Sequence, residues 1–119
     1  MTATEKMQLI TKTLDDKKAD DIRVLSVSDL TILADYFIIC SAQSTTQVKA
    51  LADNVEEKMD EAGEALLKKE GKQGLNWILM DYGDVICHIF YQETREFYAL
   101  EKLWADAKEV DISDLITEA

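Results

Sequence analysis

Ala3, Met7, Ile10 and Leu14 recur at helical spacing, and Thr2 stands three residues ahead of Glu5 in the arrangement of a capping box. This pattern predicts a helix over residues 3–17 that ends in the polar stretch 15–21. Residues 22–27 (Ile-Arg-Val-Leu-Ser-Val) are rich in β-branched side chains that partly alternate with polar ones, which predicts a short strand. Residues 36–41 (Tyr-Phe-Ile-Ile-Cys-Ser) form a nearly unbroken apolar run, the signature of a strand covered on both faces. Ser44 and Gln47 repeat the capping-box spacing. Val48, Leu51, Ala52, Val55, Met59 and Ala62 then make one stripe, and Gly63 supplies a stop, so a helix is predicted over 45–62. The step from strand to helix across residues 41–44 marks an α/β unit.

Residues 66–70 are expected to form a short edge strand. Residues 77–81 and 84–91 are two further strands, and Tyr82-Gly83 between them predicts a tight hairpin. Thr94 is placed to cap a helix carrying Phe97, Leu100 and Trp104 on one stripe. From Ala105 onward the chain holds five acids and one lysine, with Val110, Ile112, Leu115 and Ile116 scattered among them. That tail is expected to be either a loosely docked extension or a partner-binding segment. The fold class that follows is α/β: a single domain with a mixed β-sheet flanked by helices over residues 1–107, followed by an acidic C-terminal tail over 108–119.

Composition narrows the function. The 119 residues are 47% apolar and 31% charged, an ordinary globular balance at the size of one domain. No apolar run approaches a membrane span, and Glu5 stands where a secretory signal needs a basic region, so a cytoplasmic protein is expected. Thirteen Lys and Arg against 24 Asp and Glu leave a net charge of −11. Such a surface is repelled by phosphate backbones, which excludes non-specific binding to nucleic acid, whereas basic proteins are favoured partners.

The chemistry-bearing residues are few. Cys40 and Cys87 lie inside apolar stretches and read as small buried thiols, and with His88 as the only histidine a structural zinc site lacks ligands. No phosphate-cradling glycine motif is present. His88 sits mid-strand, where a neutral, hydrogen-bonded imidazole is the common finding. Asp81 and Asp84 flank the hairpin turn and Asp35 precedes the central strand, an arrangement that converging carboxylates use to hold Mg²⁺. Acids beside Gly83 are also what a tight turn uses to bond nearby amides, and that reading is the simpler one. Trp77, Tyr82, Tyr91, Phe97, Tyr98 and Trp104 crowd the last third of the chain, where they are either a core cluster or the anchor of an interface.

Residues 34–41 (Ala-Asp-Tyr-Phe-Ile-Ile-Cys-Ser) and 47–55 (Gln-Val-Lys-Ala-Leu-Ala-Asp-Asn-Val), then Glu70-Gly71 and residues 77–90, are similar to the bacterial ribosomal silencing factor family RsfS, also called Iojap or YbeB. Arg95, Tyr98, Leu100-Glu101, Leu103-Trp104 and Asp106-Ala107 continue the pattern, so the resemblance covers about residues 5–107. It implies a nucleotidyltransferase-like fold without established enzymatic activity, cofactor or metal, in a protein that is usually a homodimer when free. It further implies docking on the large ribosomal subunit through ribosomal protein L-fourteen, obstruction of small-subunit joining and repression of translation, with a link to large-subunit biogenesis. The positions that match as partner contacts are Trp77, Met80, Asp81 and Tyr82, joined by Glu93, Arg95 and Tyr98. One departure stands out: where the family commonly has Gly after the serine that ends the central strand, this chain has Ser41-Ala42. Active nucleotidyltransferases use a Gly-Ser turn there and a following acid pair, so the alternative of a residual Mg-dependent nucleotidyltransferase using Asp81 and Asp84 is weakened.

Overall fold

Local signals set the helices. In the computed structural model, which describes residues 1–71, 76–92 and 105–116, α1 runs Ala3–Asp16. Its capping box is complete: Glu5 N–H donates to Thr2 Oγ1 at 3.1 Å, and Thr2 N–H donates to Glu5 Oε1 at 2.9 Å. α2 runs Thr45–Glu61, with Ser44 Oγ accepting from Gln47 N–H. The second expected box is only half formed, because Gln47 Oε1 takes the N–H of Gln43 at 2.8 Å instead of reaching back to Ser44. Gly63 follows α2 with φ +80°, a left-handed conformation that ends the helix at little cost to glycine. The buried stripe of α2 is Val48, Leu51, Ala52, Val55 and Met59; Ala62 is exposed.

Six strands form one mixed sheet: β1 Asp20–Ser26, β2 Tyr36–Ala42, β3 Lys68–Gly71, β4 Trp77–Asp81, β5 Val85–Tyr91 and β6 Lys108–Glu109. Their order is β3-β4-β5-β2-β1-β6. Among the described residues only the central β2·β5 pair is parallel, and α2 lies in the crossover between them, which is the connection that parallel pairing requires. Both central strands are therefore buried along almost their whole length, as the apolar run of residues 36–41 implied.

Both helices share one face of the sheet. Met7, Ile10 and Leu14 of α1 and the α2 stripe pack on Ile38, Cys40, Met80, Cys87 and Ile89. The opposite face carries a second cluster of Leu25, Val27, Ala34, Phe37, Ile39 and Phe90, with Trp77 and Ile86 against it. The acidic tail is docked. Its β6 residues pair antiparallel with β1, Val110 N–H bonds Val24 O at 2.8 Å, and Ile112 is buried in the main core. The sparse apolar residues of that segment serve the core, a long-range contact that their own spacing does not announce.

Candidate functional site

The β4–β5 hairpin holds the described members of the expected contact set. The turn falls one residue later than Tyr82-Gly83: Tyr82 N–H donates to Val85 O at 2.9 Å, so Gly83 and Asp84 are its central pair. Gly83 has φ +91°, a positive angle at the first central position that suits a two-residue hairpin loop. Asp81 closes the turn from its side chain, with Oδ1 accepting Gly83 N–H at 2.7 Å. Asp84 accepts from Lys6 Nζ at 3.0 Å, and its backbone oxygen takes the N–H of Asp35 at 2.7 Å.

Lys6 ties this turn to α1. Its ammonium also donates to Tyr82 O at 3.2 Å and lies 3.6 Å from Glu64, which in turn holds the N-terminal ammonium at 3.0 Å. Burial alone would lower the Lys6 amine, but Asp84 and Glu64 outweigh it and hold the amine above its ordinary value. Asp81 and Asp84 are thus engaged by the turn and by Lys6, and no group of three His, Cys, Asp or Glu among the described residues is arranged to hold a metal ion. Ser41 and Ala42 are buried within β2, and Ala42 pairs with Tyr91, so the chain is still in the sheet where a nucleotide-approach turn would need open backbone.

Strand alternation divides the β4 residues. Met80 is wholly buried beneath the helices, whereas Trp77, Leu79 and Asp81 point to the other face and are partly exposed. Tyr82 turns inward at 3% exposure, and its hydroxyl has no hydrogen-bond partner among the described residues. Met80 and Tyr82 therefore lie under the hairpin and support it, while Trp77 and Asp81 reach its surface. Glu93, Arg95 and Tyr98 lie outside the described residues, as do Thr94, Phe97 and Trp104.

Trp77 belongs to a stacked aromatic set. Its ring lies 5.4 Å from Phe90 and 5.8 Å from His88, and Phe37 meets His88 edge-on at 5.4 Å. Trp77 Nε1–H donates to His88 Nδ1 at 3.2 Å. Burial pushes the His88 imidazole down to about 4, so it is the neutral acceptor of that bond. Trp77 thus packs in an aromatic cluster and is still partly exposed.

Two surface features escaped the sequence reasoning. Leu30, Ile32 and Leu33 are exposed in the β1–β2 connection. Asp53, Glu56, Glu57 and Asp60 line a groove beside Tyr82. Their i, i+3, i+4, i+7 spacing, which places them on one face of α2 beside its apolar stripe, is the signal in the sequence that marks this row.

Comparison with known proteins gives a consistent picture. A family profile described as "Ribosomal silencing factor during starvation" (RsfS) matches residues 1–119. The ribosomal silencing factor RsfS of Halalkalibacterium halodurans is 37% identical over 117 residues, 98% of this chain and 100% of that protein. The protein of the same name from Bacillus subtilis is 43% identical over 98 residues, 82% of this chain and 83% of its own length. A crystal structure of a Chromobacterium violaceum protein superposes with a TM-score of 0.85 at 38% identity, covering 88% of each chain.

Proposed function

The chain belongs to the RsfS family of ribosomal silencing factors, and from that premise we propose that it represses translation by docking on the large ribosomal subunit through ribosomal protein L-fourteen and obstructing small-subunit joining. The observation that carries the docking site is the construction of the β4–β5 hairpin. Trp77 and Asp81 stand at its surface over a support of buried Met80 and Tyr82. A partly exposed indole offers a large contact area at low entropy cost, and a carboxylate at the other end of the same strand suits a basic side chain. Glu93, Arg95 and Tyr98, which follow β5 in the sequence, extend the same contact.

The net charge of −11 favours a basic protein as the immediate partner and disfavours rRNA. The protein acts by occupying a surface, not by catalysis: Asp81 and Asp84 are already bonded to the turn and to Lys6. It works in the cytoplasm. It is a homodimer when free, and if the dimer covers the hairpin, subunit binding weakens as the protein concentration rises.

Co-sedimentation with separated ribosomal subunits tests this reading. Asp81→Asn keeps an acceptor for Gly83 N–H and removes the charge, and Trp77→Ala removes the anchor. Tyr82→Ala is a poor probe, because emptying a buried ring site costs about 3–5 kcal/mol of stability. The expected result is wild-type binding to large subunits alone, blocked re-association with small subunits, and affinity weakened about tenfold in either variant. Binding unchanged in both variants moves the site elsewhere. A folded wild-type protein that fails to bind large subunits overturns the proposal.

A further inference from the structure

On the helix side of the hairpin, a groove of about 340 Å³ is walled by Asp53, Glu56, Glu57 and Asp60 of α2 and by Glu64, with Leu66 and Tyr82 as its apolar side. Several of these acids are already neutralised. Lys69 reaches Glu56 at 3.0 Å and Asp53 at 3.8 Å, and Glu64 is held by Lys6 and the N-terminus. Glu57 and Asp60 have no ion pair among the described residues and are exposed. Beside them lies the orphaned hydroxyl of Tyr82, a buried polar group whose lack of a partner is costly unless a ligand supplies one.

The carboxylates are strung along a helix and do not converge, so no group of three among the described residues suits a metal ion. Charge spread along an extended ligand matches this arrangement better than one compact cation. Residues three apart on a helix have Cβ atoms about 5–6 Å apart, a spacing comparable to that of successive nitrogens in a short aminoalkyl chain.

We infer that the groove binds a linear aliphatic polyamine, with ammonium groups at Glu57 and Asp60, methylenes over Leu66 and the Tyr82 ring, and the Tyr82 oxygen accepting from one ammonium N–H. The hydroxyl is sealed from solvent in the ligand-free chain, so the groove wall must open over it when the ligand enters. Burial first, and then the neighbouring Cys87, Glu56 and Asp60, keep the phenol protonated well above its ordinary range. Its oxygen therefore offers lone pairs without a second negative charge that would have to be desolvated. The groove lies on the face of the sheet opposite Trp77 and shares with the docking proposal only Tyr82, whose ring supports the hairpin.

Calorimetric titration of the full chain with spermidine, putrescine and MgCl₂ at matched ionic strength tests the inference. Saturable one-site binding of spermidine is expected, weaker binding of putrescine, and no displacement by Mg²⁺. Tyr82→Phe and the surface pair Glu57→Gln/Asp60→Asn are each expected to weaken spermidine binding about tenfold, the scale of a lost hydrogen bond to a charged group. The ligand-free Tyr82→Phe protein should melt no lower than wild type, because only the orphaned hydroxyl is removed, so its lost binding is not a folding defect. The inference is overturned by an absence of saturable heat, by displacement with Mg²⁺, or by full affinity in the two variants. A hexalysine peptide that binds more tightly than spermidine also overturns it, since the groove is then a docking surface for a basic protein.

Discussion

Around His88, the rings of Trp77, Phe90 and Phe37 and one indole N–H offer, among the described residues, no group that stabilises an imidazolium. Its folded-state value is depressed to about 4 by burial, while the unfolded chain returns it to the ordinary value of 6.5. Between these two values the unfolded state binds the extra proton. The contribution is therefore fully present above pH 6.5 and is lost as the pH falls toward 4. Denaturant unfolding at pH 7.5 and pH 5 should differ by about 2 kcal/mol from this group. In His88→Phe, which keeps a ring in the stack and cannot titrate, that difference should shrink. An undiminished difference would assign the pH dependence to the carboxylates. Trp77 has a double duty at this scale: the indole that reaches the surface is fixed in orientation by a neutral histidine behind it. Acid would loosen the partly exposed indole and the core together.

The two-residue turn of the β4–β5 hairpin is the element on which the proposed docking surface depends. Gly83 has φ +91°, and an added Cβ would meet Leu67 Cδ1 at 3.4 Å. Gly83→Ala should therefore cost about 1–2 kcal/mol, read as a lower denaturant midpoint, mainly from the left-handed backbone. Ser44→Ala, which removes the acceptor for Gln47 N–H at the start of α2, should cost about 1 kcal/mol by the same measurement. The helices, the double burial of β2 and the existence of the hairpin were legible because each is written in neighbouring residues: caps, stripes and an apolar run. The placement of the turn was not, since Gly83 serves equally well in either of two adjacent turns and only the pairing of Tyr82 with Val85 decides. The inward direction of Met80 was hidden because Trp77-Ile-Leu-Met is apolar throughout, so period-2 alternation left no mark. The tail was ambiguous for a related reason. Ile112 finds its partners in the main core, near in space but remote in the chain.

At the scale of the whole molecule, an excess of 11 negative charges makes association with a basic partner an ionic-strength experiment. Raising salt from about 50 to 300 mM should slow binding to the large subunit by about tenfold, with a smaller change in dissociation. Neutralising Asp16 and Asp29, both exposed and away from the hairpin, should also reduce the obstruction of small subunits if repulsion of RNA adds to bulk. Unchanged obstruction would leave volume alone as its cause. The sheet is finished differently at its two margins. β3 is short, fully exposed and carries Lys68, Lys69 and Glu70, charges that discourage pairing with another chain. The margin at β1 carries Asp20, Asp21 and Arg23 and a break in register over its first half, and β6 covers its second half at Leu25 and Ser26. Residues 108–109 follow the other described strands in the chain, so until they are made the end of β1 at Leu25 and Ser26 lacks the pairing that they supply. On a crowded polysome that interval is when one growing copy can add its strand to another, and the acidic tail is the segment that ends it.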